Sequence, residues 1–132
     1  MGIQNIILLV LCLIIVGIAL AIAISKFSAQ ADQANKDGMT TSLLNIAENA
    51  YQFKMRPISM GGGGGAYDQS MGARSAYVVP DKMTQDDYGT YGITFVQAHT
   101  CLIQGISSRQ SEWSMECTVN DSGKTIFQCK GW

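Results

Sequence analysis

The chain has 132 residues, a formal net charge of −1 and 47% hydrophobic residues, the size of about one ordinary domain. Its nine Lys and Arg residues form no basic stripe, so no nucleic-acid binding is read from it. Four cysteines and a single histidine, without a C-x-x-C pair, supply no zinc-binding pattern.

Near the N-terminus, Ile6 to Ile24 is a run of nineteen residues with no charge, amide or hydroxyl, and fourteen of them are Leu, Ile or Val. As an α-helix it spans roughly 28 Å, the hydrocarbon thickness of a bilayer. Those fourteen side chains favour insertion by about 6 kcal/mol together. Ala29-Gln30-Ala31 offers a signal-cleavage pattern downstream. The run is nevertheless longer than a usual signal core and has no basic residues before it, so residues 1–25 are expected to stay as an anchor. The first cation, Lys26, follows the run, which by loop charge alone would leave the C-terminal part in the cytoplasm. An external C-terminal domain is expected instead. It requires either a basic leader already removed, with Met1 as a processed end, or orientation by dedicated machinery.

Residues 26–56 are amphipathic. Phe27, Ala31 and Ala34, then Met39, Leu43, Ile46, Ala50 and Phe53, recur at steps of mostly three and four, opposite Lys26, Gln30, Asp32, Gln33, Lys36, Asp37, Asn45 and Glu48. Only Gly17 and Gly38 weaken the pattern, each by about 1 kcal/mol. One helix over about residues 3–55 is therefore predicted, ended at Arg56-Pro57 because proline excludes its predecessor from the helical region.

Residues 57–75 read as a Gly-rich loop around Gly61 to Gly65, either a flexible or a closely packed connector. No Lys followed by Ser or Thr closes it onto a helix, so it is not a phosphate loop. Residues 76–132 read as a small antiparallel sheet, with strands predicted at Ala76 to Val79, Gly92 to Ala98, Cys101 to Ile106, Trp113 to Val119 and Thr125 to Cys129. Asn120-Asp121-Ser122-Gly123 is predicted as a four-residue loop setting Val119 against Lys124 and Cys117 against Thr125. A tight turn at Ser108 to Ser111 would put Cys101 opposite Thr118 and next to Cys117. The fold class expected is α+β, with the sheet packed on the C-terminal half of the helix through Met39, Leu43, Ile46, Ala50 and Phe53.

Cys12 reads as a small hydrophobe within the apolar run. Cys101, Cys117 and Cys129 are disulfide candidates, with Cys117 to Cys129 ranked marginally first because it would tie down the C-terminal strand. Either bridge implies an oxidising, external compartment. His99 has neither a motif-placed nucleophile nor an orienting carboxylate, and reads as a strand or turn residue. Asp81, Asp86 and Asp87 lack the calcium-loop pattern and read as a solvated loop. Asn120-Asp121-Ser122 matches a glycosylation sequon. No enzyme activity, cofactor or metal is expected.

This layout resembles the type IV pilin family: an apolar helix starting within a few residues of the N-terminus, an amphipathic extension to about residue 55, a loop, then a small sheet with C-terminal cysteines. The likeness covers the whole chain in layout and the first 55 residues in pattern. It implies a bacterial inner-membrane pool, extraction by an assembly ATPase and platform protein, and a filament with the helices in its core and the sheet domains outside. It also implies core packing by Ile6, Leu9, Leu13, Gly17, Ala21 and Ile24, and N-terminal registration between copies by Met1, Gln4 and Asn5. The sequence departs from the family in carrying the amides Gln4 and Asn5 where pilins usually have a glutamate, and in lacking a helix-kinking proline. An amide supplies hydrogen bonds there but no opposite charge. The expected function is a major pilin-like subunit of an extracellular filament whose partners are copies of itself. The alternatives are a minor pseudopilin or single-pass component of a secretion or uptake complex, and a membrane-anchored adhesin.

Overall fold

The computed structural model describes residues 2–131 and divides into two compact units, Met1–Ala34 and Asn35–Trp132. Helix α1 occupies Ile3–Met55, within about a residue of the span predicted from the periodicity. Residues 3–34 of the first unit belong to α1, and every described residue from 2 to 30 is exposed.

In the second unit, α1 from Asn35 onward packs on a four-stranded antiparallel sheet. Its strands are β1 (Gly89–Val96), β2 (Cys101–Ser107), β3 (Ser114–Val119) and β4 (Thr125–Lys130), adjacent in chain order. The architecture is α+β. The helix buries Met39, Leu43, Ile46, Ala47 and Ala50 to 1% exposure or less, and Phe53 packs at the margin of the same core. From the sheet come Tyr91, Cys101, Ile103, Met115, Cys117 and Val119. Full burial of side chains such as Leu43, Ile46 or Ile103 stabilises the unit by about 1.5–3 kcal/mol each.

Two glycines set how closely the layers approach. A Cβ on Gly105 would lie 2.9 Å from the Tyr91 ring and 3.2 Å from the Met39 methyl. A Cβ on Gly38 would lie 2.4 Å from the Tyr88 ring. Gly38 is therefore a contact position on the helix and not only a weak point in it.

The glycine run is closely packed. The last carbonyls of a helix have no partner within it. Here the amides of Gly63, Gly64 and Gly65 donate to the carbonyls of Phe53, Arg56 and Lys54 at 2.7–3.0 Å. Gly61, Gly64 and Gly65 have φ of 80°, 66° and 110°, a region that favours glycine, and a Cβ on Gly63 would fall 1.9 Å from the Ala66 carbonyl oxygen. Gly61 to Gly65 thus form the C-terminal cap of α1.

Three strand expectations are corrected. Ala76 to Val79 is not a strand: Tyr77 and Val79 are buried and Val78 is exposed, but the segment lies in no sheet ladder. Extended backbone lying on a core gives the same period-two burial without a ladder partner. The β2–β3 register pairs Cys101 with Val119, one residue beyond the expected Thr118, because the connection runs from Ser108 to Trp113. The β3–β4 loop is likewise longer, Asn120 to Lys124, which puts Val119 opposite Thr125 and Cys117 opposite Phe127.

Candidate functional site

In the first unit, the fourteen Leu, Ile and Val residues between Ile6 and Ile24 are each 49–70% exposed. Apolar side chains all round a helix suit it to lipid or to the interior of an assembly. Contiguous apolar patches on soluble monomers are about 300–600 Å² at most, and this surface runs around and along some five helical turns. The helix is long and apolar enough to cross a membrane, and none of that window is buried within the chain. It is compatible with membrane anchoring.

Ile6, Leu9, Leu13, Gly17, Ala21 and Ile24 follow one another at steps of three and four, so they share a helix face, and all six are exposed. A Cβ added at Gly17 meets nothing within 4 Å, which leaves open backbone surface there. Ala21 follows one turn later, giving the small-xxx-small spacing that lets helices approach closely. Gln4 and Asn5 lie in the first turns, exposed. Met1, assigned to registration with them, lies outside the described residues.

The disulfide candidates sit in a staggered row on the inner sheet face, and all are free thiols. Cys101 faces Val119, Cys117 faces Ile103 and Phe127, and Cys129 faces Met115, so successive cysteines are diagonal neighbours. Diagonal positions lie about 7–8 Å apart, whereas a disulfide needs Cβ atoms near 4 Å. The expected bridges Cys117 to Cys129 and Cys101 to Cys117 are therefore not formed. Burial pushes the Cys101 thiol up to about 12, helped by Cys117, and the Cys117 thiol up to about 11.

No family model, curated protein or solved structure matches the chain. What stands is the architecture: a long N-terminal apolar helix followed by a four-stranded antiparallel sheet, a pilin-like arrangement.

The sheet domain also contains a polar junction that the sequence reading missed. Lys54, with its side chain 6% exposed, donates to both the carboxylate and the backbone carbonyl of Asp121 at the β3–β4 tip. Its ammonium lies 5.5 Å from the Tyr67 ring centre and 5.9 Å from that of Tyr51. His99, in the β1–β2 hairpin, has Nδ1 3.1 Å from the same Asp121 oxygen, and the Tyr67 hydroxyl donates to the Asn120 carbonyl at 2.8 Å. Bonds from Lys54 and then His99 hold the Asp121 carboxyl below the usual carboxylate range. Asn120 stabilises the turn itself, its Oδ1 accepting from the Ser122 amide and hydroxyl and from the Lys124 amide.

At the other end of the buried stripe, Asn35 donates to the Tyr88 carbonyl and accepts from the Ser107 hydroxyl. The signal for both was present, since Asn35 and Lys54 continue the Met39–Leu43 and Ala47–Ala50 steps by one turn each. Asp86 of the acidic pair accepts from the amides of Tyr88 and Gly89 and from the hydroxyls of Tyr91 and Ser42, tying the loop to α1. Among the described residues no cluster of three or more His, Cys, Asp or Glu is placed to hold a metal ion.

Proposed function

We propose that this chain is a structural, non-enzymatic subunit of an extracellular helical filament, a divergent member of the type IV pilin lineage. The observation that carries this reading is the apolar surface from Ile6 to Ile24, exposed on every face. Before assembly this half resides in the inner membrane. On assembly it exchanges lipid for identical helices at little hydrophobic cost, and packing of small residues selects the contact. The sheet domain faces outward, and an ATPase and platform protein extract the subunit. With the cysteines unpaired, the outward orientation rests on the resemblance in layout and no longer on a disulfide.

Replacing Gly17 or Ala21 with Phe tests the proposal. The apolar length is unchanged, so membrane insertion is expected to continue while filaments disappear. Normal filaments in both variants would sink the reading.

A second reading, a permanent single-pass component of a secretion or uptake complex, is favoured by the length of the same run, which fits one bilayer crossing. It predicts that the chain stays in the membrane fraction after cells are sheared.

A further inference from the structure

The sheet domain has a half-open depression of roughly 300 Å³ between the last turns of α1 and the extended segment after the glycine cap. Asn49, Phe53 and Arg56 line one side, and Ser75 to Val78 with Pro80 line the other. It sits on the part of the domain that packs as one core, independently of the apolar half of the helix.

Its polar groups are biased toward donors. The Arg56 guanidinium has no hydrogen-bond or ion-pair partner among the described residues, and it can only donate. Asn49 already uses its Oδ1 to accept from the Tyr77 hydroxyl at 2.8 Å, which leaves its amide hydrogens to be satisfied. The Ser75 hydroxyl is likewise uncommitted among the described residues. No carboxylate lines the depression. The remaining wall is apolar: Phe53 and Tyr77 stand with ring centres 5.5 Å apart, and Val78 is 72% exposed beside Pro80.

We propose that this depression binds a small carboxylate carried on a flat apolar body, the carboxylate accepting from Arg56, Asn49 and Ser75 while the body lies against Phe53, Val78 and Pro80. A guanidinium and an amide together offer the planar, charge-assisted recognition that a carboxylate accepts. A cationic ligand would meet the arginine unopposed, and a purely apolar one would leave the donors without partners.

The test uses the full chain in detergent, titrated with benzoate and with neutral benzyl alcohol, while the Asn49 side-chain amide and Arg56 Nε resonances are followed by NMR. Benzoate is expected to shift both in a saturable way, benzyl alcohol to bind about tenfold more weakly or worse, and Arg56→Gln to weaken benzoate about tenfold or more. Lys124→Gln, which removes a cation elsewhere on the domain, is expected to change nothing. The proposal is overturned by unsaturable or absent shifts, by equal affinity for the two probes, or by equal losses in Arg56→Gln and Lys124→Gln.

Discussion

Gly38 and Gly17 occupy the same helix, yet the same change has different consequences at each. At Gly38 a methyl group would overlap one edge of the Tyr88 ring, Cδ1 and Cε1, and also its Cγ, the end that side-chain rotation moves least. Gly38→Ala is expected to lower the unfolding free energy by about 1–3 kcal/mol despite alanine's better helix propensity. Gly17→Ala should leave the unfolding midpoint of the sheet domain unchanged; thermal melts of the two variants in detergent compare them directly. Thiols separate in the same manner. Cys101 and Cys117 are completely buried with raised thiol values, so maleimide at neutral pH should modify Cys129 in the folded chain and the buried pair only after denaturation. Rapid labelling of Cys101 in the native state would contradict the core described above.

Titration at the residue scale also predicts the limits of stability. Burial alone would raise the Asp86 carboxyl, but hydrogen bonds from Ser42, Tyr88, Gly89 and Tyr91 outweigh it and hold it below the usual range. That depressed value contributes stability above the ordinary carboxylate value of about 4, lost as pH falls through the native one. Cys117, Cys101 and Tyr67 are raised chiefly by burial, to about 11, 12 and 12. Their contribution is complete below the ordinary thiol value of about 8.5 and is lost as pH climbs through the native values. Urea midpoints should therefore be flat between roughly pH 5 and 8 and fall on both sides; a midpoint constant up to pH 12 would refute the buried placement of these groups.

At the scale of elements, the glycine run acts as a cap whose positions differ in tolerance. Gly63→Ala drives a Cβ into a backbone carbonyl and should cost about 3 kcal/mol, whereas Gly61→Ala meets only open space and bears a left-handed penalty of about 1 kcal/mol. Denaturant unfolding of the two variants checks the order, and equal losses would mean that the run is a slack linker. The helix was readable because its apolar spacing persists from Ile6 to Phe53, and the sheet because β-branched runs alternate with turn residues. Register was not, since it depends on connection length, and a one-residue shift of the β2–β3 register changes which residues face each other. Cys101 and Cys117 thereby share the inner face as diagonal neighbours, where the expected pairing put Cys101 opposite Thr118 and next to Cys117. The cap was invisible for a related reason: a row of glycines has no side-chain pattern, and its meaning lies in backbone amides placed by the helix end. Lys54 and Asn35 were legible in spacing but masked by polarity.

For the whole molecule, the division of labour follows from where apolar surface ends up. The sheet domain satisfies its own core, with no buried side-chain polar atom left unpaired among the described residues. The N-terminal half of α1 satisfies nothing internally and offers its entire circumference to another medium. Lipid and identical helices are both apolar media, so in the proposed filament the same surface would serve storage and assembly, with close packing at Gly17 and Ala21 deciding between them. The proposed filament gives a further expectation at the amides Gln4 and Asn5: Gln4→Glu or Asn5→Glu adds a charge that the proposed contact between copies does without, and is expected to reduce filament yield in shear preparations rather than raise it.

The most direct measurement is electron cryo-microscopy of material sheared from cells that make this chain. A filament built of repeating 14.2 kDa subunits, with residues 6–24 of neighbouring copies packed in its core and the sheet domains outside, is the predicted result. Absence of any such filament, with the chain retained in the membrane fraction at normal abundance, would contradict the account.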